Sequence, residues 1–379
     1  MKVYHIGTIS CETNQSGREL KAIGGISGYI KDLIDYSLIN NIKIGLIGKI
    51  FNYEELAGID YIKIQDKISS TNRFLVNLTL KSITSRIPQD VIIHAHRPDH
   101  LAAFYFFSRR KSIVTLHGQQ ARTVSIRKNG LTRLIYRALE NYSFKKALAL
   151  IAVDSITNNY YSNLYPRYKH KILKISTGVN TELFKPMDKS PCREELGFKA
   201  SDKIVVYVGR VEPPKRLDII IKAFEKLVSK DTTYKLAIVG DGVSMNGIKK
   251  MVEDLVLNEN VYFMGVRKRI ELPKIFCAAD ISVLISDNEG SPLSVKESLA
   301  CGVPVVANDV GDISEIVKSQ HNGFIVNPND LDEIVQKLAF AASNSSAMKS
   351  ACLESVKDFS IETVNHKVLQ LYNTVFNEG

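Results

Sequence analysis

Runs of β-branched and aliphatic residues recur along this chain, separated by stretches where apolar positions return every three or four residues. In the first half the runs near 2–9, 42–47, 90–95, 112–117, 148–153 and 171–175 read as strands. In the second half those near 203–208, 234–239, 260–264, 281–285, 303–307 and 323–326 do so. They are apolar at successive positions, as parallel strands covered on both faces require. Strands alternating with helices predict βαβ units in a doubly wound sheet, and the pattern occurs twice. Between the two, "TGVNTELFKPMDKSPC" carries Gly178, Pro186 and Pro191 and reads as a linker. The predicted fold class is α/β: two Rossmann-like domains in tandem, 1–183 and 184–360. The helical stretch at about 361–377, within the last segment 361–379, exceeds what the second sheet needs and is expected to cross back onto the first domain. Ligands of such sheets bind beyond the carboxyl ends of the strands, so the expected site is a cleft between the domains.

Two stretches carry candidate chemistry. In "NEGSPLSVKESLACGVPVVA", residues 288–307, Ser291 reads as a helix N-cap with Pro292 at the first helical position. The N–H groups of Leu293 and Ser294 then form an anion site at the helix end. Glu289 precedes it, and Glu297 follows inside the helix. The N–H groups suit phosphates and the carboxylates suit sugar hydroxyls, a combination that fits a nucleotide sugar. The same acids also fit a solvated surface near a helix N-terminus. In "VYVGRVEPPKRLD", residues 206–218, a strand ends at Gly209, and Arg210 and Lys215 follow in a proline-stiffened turn. Two cations at a strand's carboxyl edge suit a departing diphosphate, or else make a solvated basic loop. "IVGDG", 238–242, adds a glycine-flanked turn after the next strand.

Together these pieces resemble one family. "GRVEPPK", "VGDG", "FMGV" at 263–266, the E-x7-E of Glu289 and Glu297, and "ACGVPVVANDVGDISEIV" are similar in order and spacing to retaining glycosyltransferases of the GT-B fold, family four (group 1). The likeness is specific across roughly 203–335. It continues more loosely through "AIGGISGYI", "HAHRPDH", "TLHG" and "STGVNTELF". The resemblance implies that Gly25 approaches the donor phosphate, and that Arg210 and Lys215, after Gly209, hold the diphosphate. It implies that Glu289 and His117 contact the transferred sugar and that Glu297 holds the ribose. Leu293 and Ser294, with Ser291, Pro292 and Val266 beside them, complete the donor site. Two positions depart from the family. Arg216 follows Lys215 where a glycine is common, and "EGSPLS" replaces the usual Phe-Gly after the acid-containing turn.

Charge changes the picture of the partners. Residues 1–183 carry 26 Lys and Arg against 13 Asp and Glu, a net of +13, whereas the remainder carries 24 against 27. An anionic partner of the first half is expected. Ten of those cations lie within 109–146, where Glu140 is the one acid. Part of that stretch, "LTRLIYRALENYSFKKAL", reads as a basic amphipathic helix with Leu134, Ile135, Ala138 and Leu139 able to face a core. Such a helix can rest on anionic lipid, or be a solvated basic face. No aromatic platform accompanies the cations, so nucleic acid is not expected.

Five scattered cysteines without a C-x-x-C suggest neither disulfides nor zinc. His94, His96 and His100 lack patterned Cys or acidic ligands beyond Asp99. The literal D-x-D, Asp330 and Asp332, reads as a helix start. No metal and no cofactor are expected, the nucleotide sugar being a substrate. "MKVYHIGTIS" lacks a leader's apolar stretch and the longest apolar run, "ALALIAV", is strand-sized. The expected location is cytoplasmic, with a peripheral position on the inner face of the membrane as the alternative. The reading is a metal-independent retaining glycosyltransferase moving a sugar from a UDP- or GDP-linked donor to a hydroxyl on a glycan or lipid-linked glycan. The rivals are a nucleotide-sugar epimerase of the same architecture and a non-catalytic glycan- or nucleotide-binding homologue.

Overall fold

The computed structural model describes residues 1–7, 25–49, 59–65, 71–107, 109–118 and 130–377. The chain forms two units, Met1–Gly178 with Ile361–Gly379, and Val179–Ser360. The sequence reading placed the first boundary five residues later, at 183. Gly178 ends the first unit because the returning chain lies against it: a Cβ there would stand 2.9 Å from the Ile361 Cα.

In the first unit β1 (Lys2–Gly7), β2 (Lys43–Lys49), β3 (Ile59–Gln65), β4 (Ile92–Ala95), β5 (Lys111–Leu116), β6 (Ala149–Ala152) and β7 (Ile172–Lys174) form a parallel sheet in the order β3-β2-β1-β4-β5-β6-β7. β3, "IDYIKIQ", was absent from the sequence reading. It is an edge strand that alternates polar and apolar residues, and its Asp60 pairs with Lys2. Helices Gly25–Ile39 and Ile361–Asn377 cover one face, burying Tyr29, Ile30, Leu33, Val364, Val368 and Tyr372 together. Helices Thr71–Thr84, Pro98–Tyr105 and Gly130–Lys146 cover the other through Phe74, Leu78, Leu101, Phe104, Tyr136 and Phe144.

The centre of this first sheet holds a polar cluster. His5 of β1 and His94 of β4 are fully buried, and His96 nearly so. His5 Nδ1 lies 3.1 Å from His96 Nε2. His94 sits between the Tyr372 hydroxyl at 2.6 Å and the Thr115 hydroxyl at 2.7 Å. Burial favours the neutral imidazole, so all three pKa values fall below the ordinary 6.5, that of His5 to about 3.

In the second unit β8 (Lys203–Val208), β9 (Tyr234–Val239), β10 (Val261–Gly265), β11 (Ile281–Leu284), β12 (Val305–Ala307) and β13 (Gly323–Ile325) run in the order β10-β9-β8-β11-β12-β13, again all parallel. The loops after β11 and β12 touch backbone to backbone. Gly311 has φ +64°, and a Cβ there would lie 1.8 Å from the Gly290 carbonyl oxygen. Beneath this contact Lys296 and Asp312, both fully buried, pair at 3.0 Å. The Lys296 ammonium also stands 4.9 Å from the centre of the Phe359 ring.

The buried histidines set a pH dependence. An unfolded chain takes up protons below 6.5, where the native His5, His94 and His96 stay neutral. The stability present above 6.5 is therefore lost as pH falls toward about 3. Each histidine contributes up to about 1.4 kcal/mol per pH unit. Glu140, raised to about 7 by burial, opposes them with a single proton. Amide hydrogen exchange should show β1 and β4 losing protection between neutral pH and pH 5. Protection that stays level or grows refutes the neutral cluster.

The Lys296–Asp312 pair makes a second prediction. Asp312→Ala should cost about 3–5 kcal/mol in urea denaturation, because it leaves a buried ammonium uncompensated. The double change Lys296→Met with Asp312→Leu should cost far less. Equal losses in both proteins would exclude an energetically coupled pair.

Candidate functional site

The loops leaving β8 and β11 meet where the strand order reverses, β8 leading to β9 on one side and β11 to β12 on the other. Such a switch point leaves a crevice at the carboxyl edge of the sheet. The β8 loop passes Gly209 and Arg210 and forms a tight turn at Pro213–Lys215. The Pro214 carbonyl accepts the Asp287 N–H at 2.8 Å and the Ser286 hydroxyl at 2.9 Å. Next to these bonds Lys215 Nζ lies 2.5 Å from Glu289 Oε1, with the two side chains 17% and 10% exposed. Lys215 therefore does not sit in the solvated basic loop that was the alternative for this turn: it is sequestered by the acid expected to contact the sugar. Arg210 is exposed, pairing with Glu212 at 2.7 Å. Its carbonyl accepts the Tyr207 hydroxyl at 2.8 Å, which holds the turn.

Arg216, the departure from the family's glycine, has φ 40° and ψ 41°. A left-handed conformation explains why glycine suits the position, and a side chain there costs about 1–2 kcal/mol. Ion pairs to Asp218 at 3.2 Å and to Asp287 of the β11 loop at 3.1 Å offset that cost. Gly240, in "VGDG", has φ +130°, and a Cβ there would lie 1.9 Å from the Gly209 carbonyl oxygen.

The helix after the β11 loop begins one residue later than predicted, at Leu293. Pro292 occupies the cap position, and Ser291 does not cap. The Ser291 hydroxyl instead donates to Asp312 at 2.5 Å and accepts from Lys296. The competing partner is a buried ion pair that local sequence does not reveal. Leu293 and Ser294 open the helix, and first-turn N–H groups have no intrahelical acceptor. Glu297 is buried one turn further on, its Oε1 3.4 Å from Arg269 Nε. Arg269 stacks 5.6 Å from the centre of the Phe184 ring. Lys296, Asp312 and Arg269 escaped the sequence reading. Asp312 lies within the quoted glycine-rich stretch, but a buried lysine has no sequence signature. Val266 stands exposed just past β10.

Gly25 and His117 belong to the first unit. Gly25 is the first residue of its helix. The polar stretch at 11–24, read as acceptor-facing, lies outside the described residues. His117 follows β5, its Nε2 3.4 Å from His96 Nδ1 and its ring 5.1 Å from that of Tyr29. Burial lowers its pKa to about 3, so the ring is neutral near pH 7. His5, His94 and His96 each offer a nitrogen within 4.8 Å of the others, a possible metal group. Both ring nitrogens of His94 already face hydroxyls, so its hydrogen bonding is satisfied by protein alone. Asp330 accepts the Glu333 N–H at 2.9 Å and caps the helix Leu331–Ser343, while Asp332 pairs with Lys226.

The second unit thus gathers Gly209, Arg210, Lys215, Glu289, Leu293, Ser294 and Glu297 at one sheet edge. Cations, a helix N-terminus and shielded acids suit a ligand with both phosphates and hydroxyls.

The profile described as "Glycosyl transferases group 1" matches residues 188–357. A D-inositol 3-phosphate glycosyltransferase of Segniliparus rotundus is 29% identical over 237 residues, 61% of this chain and 53% of that protein. The chain spans about half the length of the curated relatives of this kind that it matches. The N-acetyl-alpha-D-glucosaminyl L-malate synthase of Bacillus anthracis is 25% identical over 73% of this chain and 70% of its own. Among solved structures, sucrose-phosphate synthase from Thermosynechococcus elongatus superposes with a TM-score of 0.82 over 100% of both chains at 18% identity. Anabaena HepE in complex with UDP-glucose does so with a TM-score of 0.76, over 99% of this chain and 100% of that one, at 18% identity. Residues 188–357 are thus similar to the group 1 glycosyltransferases, and the two parallel-sheet units of the chain have the GT-B fold.

Proposed function

We propose that this chain is a retaining glycosyltransferase that moves a hexosyl group from a UDP- or GDP-linked donor to a hydroxyl on a glycan or lipid-linked glycan. The observation that carries the reading is the Lys215–Glu289 pair beside the N-terminus of helix Leu293–Ala300, with Arg210 exposed next to it. Arg210, Lys215 and the N–H groups of Leu293 and Ser294 take the donor's diphosphate. Glu289 accepts hydrogen bonds from the transferred sugar, and Glu297, oriented by Arg269, accepts them from the ribose. Gly25 and His117 take part in donor recognition on the family pattern, the neutral imidazole of His117 serving as a hydrogen-bond partner.

In the transfer the acceptor oxygen bonds to the anomeric carbon on the face that the diphosphate leaves. The carbon–oxygen bond to phosphate breaks, its electron pair stays with the diphosphate, and the departing phosphate oxygen takes the acceptor's proton. Arg210, Lys215 and the helix N-terminus neutralise the charge that develops, the task a divalent metal performs elsewhere. HepE, of similar fold, is described in complex with UDP-glucose, which supports a nucleotide-sugar donor. The names of the two relatives specify an inositol phosphate and a malate, both anions. An anionic acceptor also suits the net +13 of residues 1–183. An epimerase would alter the donor sugar without an acceptor, and radiolabelled nucleotide sugars separate transfer, isomerisation and simple binding.

Arg210→Ala and Lys215→Ala should each lower turnover by about a hundredfold. Arg210→Ala should leave the melting temperature unchanged, because the side chain is exposed. Lys215→Ala should lower it, because Glu289 is left unpaired and shielded. Full turnover in both variants refutes the assignment. Activity should also persist in EDTA. Loss on chelation, with recovery on adding Mn²⁺ or Mg²⁺, refutes metal independence.

A further inference from the structure

The helical layer of Thr71–Thr84, Pro98–Tyr105 and Gly130–Lys146 covers one face of the first sheet, and its outer side is unusual. The helix Gly130–Lys146 was expected to bury Leu134, Ile135, Ala138 and Leu139. It instead buries Tyr136, Glu140, Ser143 and Phe144. Leu131, Leu134 and Ile135 are 68%, 66% and 53% exposed. Arg133 and Arg137 are exposed among them. The helix Thr71–Thr84 repeats the pattern: Val76, Leu80 and Ile83 are each more than half exposed, with Arg73 and Lys81 beside them. Both helices pack on Pro98–Tyr105, so the two ridges belong to one layer.

The charge on the outer side of this layer has one sign, since Asp99 of the helix Pro98–Tyr105 is buried and paired with Arg97 at 2.7 Å. Residues 71–86 contain no acid and carry Arg73, Lys81 and Arg86. The one acid of Gly130–Lys146, Glu140, is turned inward, where the hydroxyls of Tyr161 and Tyr165 donate to it at 3.1 and 2.8 Å. Burial pushes its carboxyl up to about 7. Six large aliphatic side chains therefore project among exposed cations alone. A solvated face has no reason to carry the aliphatic residues, and a polyanion in water offers them nowhere to go. A bilayer rich in anionic lipid meets both needs, headgroups for the guanidinium and ammonium groups and acyl chains for Leu, Ile and Val. No helix among the described residues is long and apolar enough to cross a membrane.

We propose that the outer side of helices Thr71–Thr84 and Gly130–Lys146 is a docking surface for an anionic lipid bilayer. It deepens the reading of a lipid-linked acceptor, and it binds at the interface without spanning it. Two components act together: the cations respond to salt, and the aliphatic ridges do not.

The test is co-sedimentation of the full chain with vesicles of phosphatidylcholine alone or mixed with phosphatidylglycerol, at low and high salt. The native chain should pellet with phosphatidylglycerol vesicles at low salt, and partly at high salt. Arg133→Glu with Arg137→Glu should lower the bound fraction about tenfold at low salt. Leu134→Ser with Ile135→Ser should remove the salt-resistant part. Ile39→Ser, an exposed apolar residue on the helix Gly25–Ile39 of the opposite face, should bind as the native chain does. Circular dichroism checks that each variant folds. Equal binding to both lipids at low salt, native binding by the two double variants, or capture of RNA in place of vesicles would each overturn the proposal. Thermal shift with UDP- and GDP-sugars, run in parallel, keeps the two readings apart. A chain that binds a nucleotide sugar but no vesicle refutes docking alone, and one that binds vesicles but no nucleotide sugar refutes the transferase reading alone.

Discussion

The second unit depends on one clasp. Lys215 from the β8 loop and Glu289 from the β11 loop hold each other at 2.5 Å at the point where the sheet's strand order reverses. The surrounding contacts serve the same junction: the Pro214 carbonyl with Asp287 and Ser286, and Arg216 with Asp287. A doubly wound sheet leaves a crevice at its switch point because consecutive crossovers depart in opposite directions. Here the crevice is lined by opposed charges held at short range before any ligand arrives. An anion entering it meets a cation whose position is already set, which lowers the reorganisation needed when charge develops.

Below the clasp the same unit spends a buried ion pair on shape. Lys296 and Asp312 are fully buried, and Ser291 joins them. Such pairs are weak sources of stability but strongly penalise any arrangement that separates them. They tie the helix of Glu297 to the loop of Gly311, whose left-handed backbone touches Gly290. Position matters more than stability here, since Glu289 immediately precedes Gly290. Arg216 follows the same logic, with a strained backbone tolerated because two carboxylates hold its side chain.

The first unit handles polarity differently. Its switch point lies between β1 and β4, and it is filled by neutral imidazoles rather than ions. His94 is satisfied by the hydroxyls of Thr115 and Tyr372. Tyr372 comes from the last helix, so that helix completes the core as well as covering it. A buried polar group without such partners is costly, which makes the C-terminal segment a requirement of the first sheet.

Much of this was legible in the residues. Continuous apolar runs specify parallel strands covered on both faces, and twelve of them correspond to strands in the two sheets. β3 escaped because an edge strand alternates polarity as a surface loop does. Glu289, Glu297, Arg210 and Lys215 could be singled out as candidates because motif spacing relative to a strand's end is a one-dimensional property. What those side chains touch is not. That Lys215 meets Glu289, that Lys296 is buried against Asp312, and that Ser291 serves this pair instead of capping a helix are contacts between residues distant along the chain. Periodicity also misjudged the helix Gly130–Lys146, since its apolar residues outnumber what one buried stripe can hold. Only packing against Pro98–Tyr105 decided that Tyr136 and Phe144 turn inward while Leu134 and Ile135 face out. The sequence by itself determined the strands other than β3, their order and the residue types at the strand ends, because these follow from local periodicity and spacing. The tertiary structure alone decided which charges are paired and which apolar residues stay outside, because burial depends on neighbours that the chain brings from elsewhere.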